Sequence, residues 1–156
     1  MDKRNQLQIN ISMPNLINIC VGQKVDGEIS GEIYHCYAKE PMRFSNVVEM
    51  IKKIEDLFDR ICFPQSSTKL RSFCETSQTS RMLRPEKVLM QQDVIEYRGT
   101  LGSFVTCVKF RQNSTWQGEI FWMEKSIKRQ FTNTLDFIKI LDNALMMVEK
   151  ENKRHA

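Results

Sequence analysis

The sequence has few of the residues that usually mark a reaction centre. Among its 156 residues are only two histidines, six glycines and four prolines. No glycine-rich loop ends in Lys-Ser or Lys-Thr to hold a phosphate, and Gly22, Gly27 and Gly31 lack the spacing of a dinucleotide-binding fingerprint. His35 and Cys36 are neighbours in a predicted strand, where adjacent side chains point to opposite faces and cannot act as base and nucleophile. We therefore expect no catalytic residues and a protein that is not an enzyme.

The five cysteines lack the arrangement of a metal site or a disulfide framework. Their number is odd and none forms a Cys-x-x-Cys pair. We expect reduced thiols that pack as small hydrophobic residues, with no metal and no other cofactor. The chain also lacks an apolar run of about 18 residues, and its charged, polar start lacks the apolar segment of a secretory signal. These absences predict a cytoplasmic protein without a membrane partner.

The composition that remains is that of a globular protein, and it contains an internal repeat. Hydrophobic residues make up 41% of the chain, charged residues 27%, and the net charge is +4. Residues 31–58 align without a gap to residues 118–145, at an offset of 87. Seven aligned positions are identical: Gly31/Gly118, Glu32/Glu119, Ile33/Ile120, Phe44/Phe131, Asn46/Asn133, Ile51/Ile138 and Lys52/Lys139. The alignment predicts a duplicated structural unit.

Hydrophobic periodicity predicts the structure of each unit. In the second unit a period of two runs over residues 104–111 and again over 116–123, with a polar break between them, which is typical of a β-hairpin. We expect Lys109 to face Glu119 across this hairpin, and Phe110 to lie on the core side. A tight turn then leads into a third strand from Ile127 to Phe131.

A helical period follows the strands in both units. The predicted apolar stripes are Val48, Ile51, Ile54, Leu57, Phe58 and Ile61 in the first unit, and Leu135, Ile138, Leu141, Ala144, Leu145 and Val148 in the second. Asn46 and Asn133 stand where an N-cap is expected, each followed by an acidic residue in the first turn. Leu141 and its neighbours in the stripe are expected to be core residues.

These patterns predict an α+β fold. It consists of two tandem repeats of a small antiparallel β-sheet followed by one amphipathic helix, packed about a pseudo-twofold axis. The predicted organisation is a first repeat over 1–62, a basic Ser/Thr/Gln-rich connector over 63–100 with possible short strands at 70–73 and 88–97, and a second repeat over 101–156. Because one unit alone would bury little apolar surface, we expect the halves to form one compact domain, an intramolecular pseudo-dimer.

Basic and aromatic residues are concentrated in the second hairpin and the connector. Basic groups attract phosphate and aromatic faces stack on unpaired bases, so this mixture suits single-stranded DNA or RNA. Trp122 would be core, which leaves Phe121, Met123 and Trp116 as the aromatic and apolar residues free for function. The predicted nucleic-acid-binding residues are Lys109, Arg111, Trp116, Gln117, Lys125, Lys128 and Arg129 in the second repeat, and Arg71, Arg81 and Arg84 in the connector.

The second hairpin also resembles a known sequence signature. Residues 111–118 read RQNSTWQG and are followed by Trp122, Phe131, Leu135 and Leu145. This stretch is similar to an uncharacterised small bacterial protein family whose members read roughly RQN-x-SWQG, then W, then FRS-x-LEL; here Thr132-Asn133 replaces Arg-Ser. The resemblance covers about residues 104–146 and implies no known activity. In architecture alone, the two sheet-and-helix units resemble PUR-repeat and Whirly-type single-strand binders, which implies a sheet that presents basic and aromatic residues.

Two functions are compatible with these observations. The first is non-enzymatic binding of single-stranded nucleic acid through exposed sheet faces and the basic connector. The alternative is a protein-interaction adaptor or inhibitor module of bacterial or phage origin, which would dock a protein partner through a sheet edge or through Met146 and Met147. A salt series distinguishes them, because nucleic-acid binding weakens steeply with salt whereas an apolar protein interface does not.

Overall fold

The fold is α+β and is built on one antiparallel sheet. The computed structural model describes residues 9–64, 85–112 and 115–154. Six strands pair in the order β3-β2-β1-β4-β5-β6. Their bounds are β1 Ile17–Val25, β2 Glu28–His35, β3 Met42–Phe44, β4 Gly102–Gln112, β5 Thr115–Trp122 and β6 Ile127–Phe131. The two small sheets expected from the sequence are thus joined, because β1 and β4 pair along their edges from Ile17↔Thr106 to Val21↔Gly102.

In the described residues three helices accompany the sheet: α1 Val47–Ile61, α2 Gln91–Glu96 and α3 Thr134–Arg154. The predicted caps of the two long helices are confirmed. The Asn46 side chain accepts a hydrogen bond from the backbone N–H of Glu49 at 2.8 Å, and Asn133 accepts one from Asp136 at 2.7 Å. Each cap satisfies a free amide of the first turn and sets where its helix begins. None of the helices in the described ranges is long and apolar enough to cross a membrane.

Both long helices pack on the same face of the sheet and form the main core with it. The buried side chains of α1 are Met50, Ile54, Leu57, Phe58 and Ile61, and those of α3 are Phe137, Leu141, Ala144 and Leu145. The predicted core role of Ile54 and Leu141 is therefore confirmed. Val48 and Leu135 were expected in the stripe but are exposed. They lie two residues before the first buried position, and two residues of an α-helix rotate the side chain to the far side.

The opposite face of the sheet is covered in its middle by two other segments. Residues 9–16 pack there through Ile9 and Leu16, against Val105, Cys107 and Phe121. The short helix α2 covers β1 and β2. The Asn18 side chain on β1 donates hydrogen bonds to the carbonyls of Val94 and Tyr97, both at 2.9 Å. Phe121, expected at the surface, is buried beneath this cover.

The connector is only partly described. Residues 65–84, including the predicted strand at 70–73 and the basic residues Arg71, Arg81 and Arg84, lie outside the described residues. The other proposed strand, residues 88–97, instead contains α2. Met90 precedes this helix in extended backbone, and Val94 is its buried residue against the sheet. The period-two pattern of residues 88–97 is too weak to exclude a short helix of about one and a half turns.

Several backbone features recur at the offset of 87 residues. Val21 pairs with Gly31 on β2, and Val108 pairs with Gly118 on β5. Directly after each of these pairs the register shifts by one residue on the first strand of the hairpin. A Cβ atom on Gly31 would lie 2.1 Å from the Cys20 carbonyl oxygen. A Cβ atom on Gly118 would lie 2.0 Å from the Cys107 carbonyl oxygen. Glycine is required at both positions because the neighbouring strand leaves no room for a side chain.

Candidate nucleic-acid interface

Arg111 lies in the interior rather than on the sheet surface, with 4% of its area exposed. Its Nε donates to the Pro64 carbonyl at 2.8 Å, and its Nη1 donates to Asp59 at 2.8 Å and to Glu55 at 3.1 Å. The guanidinium also lies 5.6 Å from the ring centre of Phe58. These contacts tie the end of β4 to α1. Arg111 therefore has no free face for a phosphate or a base.

Trp116 is also buried, with 1% of its area exposed. Its ring contacts Phe58 of α1 and Phe137 of α3, at centroid distances of 5.9 Å and 5.6 Å. The indole N–H donates to the Glu55 carboxylate, which also accepts from Arg111. The expectation that Arg111 and Trp116 bind nucleic acid at the surface is thus corrected. They form the contact between the second hairpin and the two helices.

A β-bulge explains which hairpin residues are buried. The register of β4 and β5 shifts between Val108 and Phe110, so Phe110 pairs with Gln117 and Arg111 pairs with Trp116. A bulge adds one residue to a strand and reverses the alternation of faces beyond it. Arg111 consequently turns towards the helices. Phe110 turns away from them and has 56% of its area exposed, contrary to the core position expected from its period.

Two lysines flank one carboxylate on the same face as Phe110. The Glu119 Oε1 atom lies 3.2 Å from the Lys109 Nζ and 3.8 Å from the Lys128 Nζ. The expected pairing of Lys109 with Glu119 is present, although the residue directly opposite Glu119 is Cys107. The Glu119 side chain is 11% exposed, against 44% for Lys109 and 29% for Lys128. The lysines thus reach solvent while the carboxylate lies beneath them.

The remaining predicted residues of the second repeat do not all lie on this face. Gln117 is partly buried and pairs with Phe110 across the hairpin. Arg129 is exposed on the edge strand β6, and its Nη1 donates to the Lys128 carbonyl at 3.0 Å. Its strand partner Ile120 belongs to the core on the helix side, so the Arg129 side chain lies on the opposite face. Lys125 pairs with Glu151 of α3, at 2.8 Å. We define the hairpin surface as Lys109, Phe110, Gln117 and Lys128, with Glu119 beneath it.

The other half of the same face carries a different arrangement. The rings of Tyr34 and Tyr97 stack at 3.7 Å with an interplanar angle of 7°. The Tyr34 hydroxyl donates to Glu32 at 2.6 Å. Burial, and then this hydrogen bond, raise the pKa of Tyr34. Within the described residues, Glu32 forms an ion pair with Arg43 at 3.8 Å. This half therefore presents a stacked tyrosine pair beside an exposed ion pair.

Burial shifts the pKa of several titratable side chains in the interior. Burial, and then the charge of Arg60, lower the pKa of His35 to about 4. Its Nδ1 accepts a hydrogen bond from the Tyr37 backbone N–H at 3.0 Å. Burial raises the pKa of Cys20 and of Cys107 to about 12. These thiols stay protonated at neutral pH and are poor nucleophiles.

Within the described part of the chain, no group of three or more His, Cys, Asp or Glu residues is arranged to hold a metal ion. The described cysteines, Cys20, Cys36, Cys62 and Cys107, are free thiols. An open groove of about 680 Å³ between β3 and α1 is lined by both acidic and basic side chains. No family model matches the chain, and no match was found among curated proteins or solved structures.

The sequence does not predict the role of Phe110 in the hairpin surface or that of Glu119 beneath it. The period of two places Phe110 in the core because it takes no account of the bulge, and it gives Glu119 only the pairing with Lys109. One signal was available. Gly22 stands 87 residues before Lys109, and an isolated glycine inside a strand often marks a bulge. Because Gly22 and Lys109 are equivalent at the offset of 87, the glycine indicates a bulge at Lys109 as well.

Proposed function

We propose that this protein binds single-stranded nucleic acid without catalysis, through the hairpin surface. The observation that carries the proposal is the exposure of Phe110 on a strand, beside Lys109. An exposed aromatic face stacks on an unpaired base whatever its identity, and lysines attract the phosphates between bases. The site is smaller than the one expected from the sequence, because Arg111 and Trp116 belong to the core.

The flanking charges support a weak, salt-dependent mode of binding. Lys109 and Lys128 are partly exposed. Each phosphate that they neutralise on a single strand lowers the slope of log affinity against log salt by about 0.7. Full engagement of both lysines therefore sets the steepest slope at about −1.4, which is a modest electrostatic component. Stacking of a base on Phe110 would supply the part of the binding free energy that does not depend on salt.

Fluorescence anisotropy with a labelled oligonucleotide of about 20 nucleotides, longer than typical single-strand sites, tests the proposal across a salt series. Phe110→Ala should weaken binding by about 5- to 150-fold, because stacking of one base is worth about 1 to 3 kcal/mol. Leu135→Ala is the matched control. Leu135 is 60% exposed, about as much as Phe110, but lies at the start of α3. Its substitution should leave the affinity unchanged.

The charge component has its own control. Lys128→Ala should reduce the salt slope by about 0.7. Lys139→Ala removes the same charge from an exposed position on α3, which covers the opposite sheet face, and should change the slope much less. Wild-type binding weaker than about 100 μM at physiological salt, the weak limit of non-specific binding, would reject the proposal. Equal effects of Phe110→Ala and Leu135→Ala would reject this location.

We also propose that the two halves descend from one duplicated unit and are related by a pseudo-twofold axis. The β1 and β4 register supports this: Asn18 pairs with Val105, which is its own equivalent at the offset of 87, and the flanking pairs are symmetric about it. An axis through this pair would exchange the halves. The likeness to the RQN-x-SWQG family remains a prediction, and the burial of Arg111 and Trp116 gives those signature residues a structural role.

A protein-interaction adaptor is the second candidate, favoured by the exposure of two adjacent methionines. Met146 and Met147 on α3 are 43% and 49% exposed. Methionine is flexible and polarisable and suits adaptable interaction surfaces. If the oligonucleotide does not bind, and a partner captured from nuclease-treated lysate is lost with Met147→Ser, the adaptor function is the better conclusion.

A further inference from the structure

Glu119 occupies an unusual place for a residue of a phosphate-binding surface. Its carboxylate lies beneath two lysines, 3.2 Å from Lys109 and 3.8 Å from Lys128. Only 8% of the residue is exposed. A carboxylate so far removed from water requires a cationic partner to stay charged. The two lysines provide that partner, and they are also the groups that phosphate would use.

We propose that Glu119 is a built-in competitor of phosphate in the hairpin surface. It holds Lys109 and Lys128, so that a nucleic-acid strand must weaken an ion pair for each of these lysines that it gains. Glu119 thereby lowers the affinity for single-stranded nucleic acid and reduces its salt dependence. This inference rests on the proposed function, since it concerns the same surface.

The first half of the sheet provides a natural comparison. Glu32 is the equivalent of Glu119 at the offset of 87 and is identical in type. Its side chain is 36% exposed, against 11% for Glu119, and its ion pair with Arg43 is 3.8 Å long, the same as the pair of Glu119 with Lys128. It also accepts a hydrogen bond from the Tyr34 hydroxyl. Glu32 thus holds one exposed arginine outside the hairpin surface, whereas Glu119 holds two lysines inside it.

The test compares Glu119→Gln with Glu32→Gln, which change the net charge equally and keep the side-chain shape. Affinity for the labelled oligonucleotide of about 20 nucleotides is measured from low to physiological salt. Glu119→Gln should bind about 2- to 30-fold more tightly than wild type at low salt, because two partly exposed ion pairs no longer compete. Its salt slope should steepen by about 0.7 to 1.4 as one or both lysines become available. Glu32→Gln should show a much smaller gain.

A combined variant checks that the gain acts through the lysines. Adding Lys128→Ala to Glu119→Gln should remove about half of the steepening, whereas adding Lys139→Ala should not. If Glu119→Gln melts at too low a temperature for binding assays, Glu119→Asp replaces it, because aspartate withdraws the carboxylate by one methylene. Glu119→Asp should gain less affinity than the gain expected of Glu119→Gln. It should still gain more affinity than Glu32→Asp.

The possible outcomes separate the two proposals. If wild type binds and Glu119→Gln gains no more than Glu32→Gln, the inference is wrong and the proposed function stands. If wild type binds more weakly than about 100 μM at physiological salt, the proposed function fails and the inference falls with it, whatever Glu119→Gln does. A gain that survives loss of both Lys109 and Lys128 would also overturn the inference.

Discussion

Arg111 in the second half of the molecule and Lys24 in the first occupy positions 87 residues apart, near the ends of β4 and β1. Arg111 is buried and makes close hydrogen bonds to Glu55 and Asp59 of α1. Lys24 approaches Asp142 and Glu149 of α3 only to 3.7 Å and 3.6 Å. In each case a hairpin strand contacts the helix of the other half. The same backbone plan therefore supports close hydrogen bonds from a buried arginine on one side and longer ion pairs from a lysine on the other.

The difference follows from the neighbouring strand. The residue paired with Arg111 is Trp116, whose ring fills the space between the helices and whose N–H shares the Glu55 carboxylate. Its equivalent at the offset of 87 is Ile29, which offers no donor and less volume. Matching backbone positions thus do not imply matching chemistry. The hairpin surface is expected on the second half alone, because Gly22, Gln23 and Ser30 stand at the positions equivalent to Lys109, Phe110 and Gln117.

The largest expected effect tests whether both halves contribute equally to one core. Ile54 and Leu141 are equivalent at the offset of 87 and both are buried, at 0% and 2% exposure. Ile54→Ala and Leu141→Ala should each cost about 2 to 5 kcal/mol of unfolding free energy, measured from urea midpoints. Val48→Ala, at an exposed position of α1, should stay within about 0.5 kcal/mol. A large cost for only one of the two core variants would show that the halves are energetically distinct.

Acid stability should distinguish the halves through His35, whose equivalent at the offset of 87 is Trp122. Burial lowers the pKa of His35 to about 4 from its ordinary value of 6.5. The unfolded chain therefore binds this proton first as the pH falls. The contribution of the neutral His35 to the free energy of unfolding is fully present above pH 6.5. It is lost as the pH falls from 6.5 to 4, and the loss is on the order of 3 kcal/mol.

The measurement compares urea unfolding of wild type and His35→Gln at pH 7 and near pH 4. Because glutamine does not titrate, the variant should lose less stability than wild type over this range. The carboxylates common to both proteins cancel in the comparison. Equal losses would mean that His35 is able to take up a proton in the folded state, contrary to its burial.

A third prediction addresses the Arg111 and Lys24 contrast directly. Arg111→Ala should cost about 1.5 to 3 kcal/mol, because it removes charged hydrogen bonds and leaves the Pro64 carbonyl without this donor. Lys24→Ala should cost no more than about 1 kcal/mol, as is usual for partly exposed ion pairs. Thermal or urea unfolding at matched salt checks both. Equal costs would show that the closer geometry around Arg111 contributes nothing.

Much of this fold was within reach of the sequence, and the reasons can be given residue by residue. Alternation located the strands of the second hairpin, and Asn46 and Asn133 placed the helix starts, because both signals are local. The faces of Phe110 and Arg111 were not predictable from the period, since one inserted residue at the bulge inverts every side chain after it. The burial of Phe121 depends on residues 9–16, which meet it only after the chain folds back.

The smallest expected effect concerns the glycines and the proposed duplication. Gly31→Ala and Gly118→Ala should each cost about 1 to 3 kcal/mol, because the new Cβ atom would overlap a carbonyl of the adjacent strand and force the backbones apart. Gly22→Ala is the control within the same hairpin. Its nearest contact would be the Ser30 carbonyl oxygen at 3.8 Å, so its cost should stay within about 0.5 kcal/mol. If Gly31 tolerates alanine while Gly118 does not, the close strand approach is specific to the second half, and the proposed duplication loses its strongest backbone support.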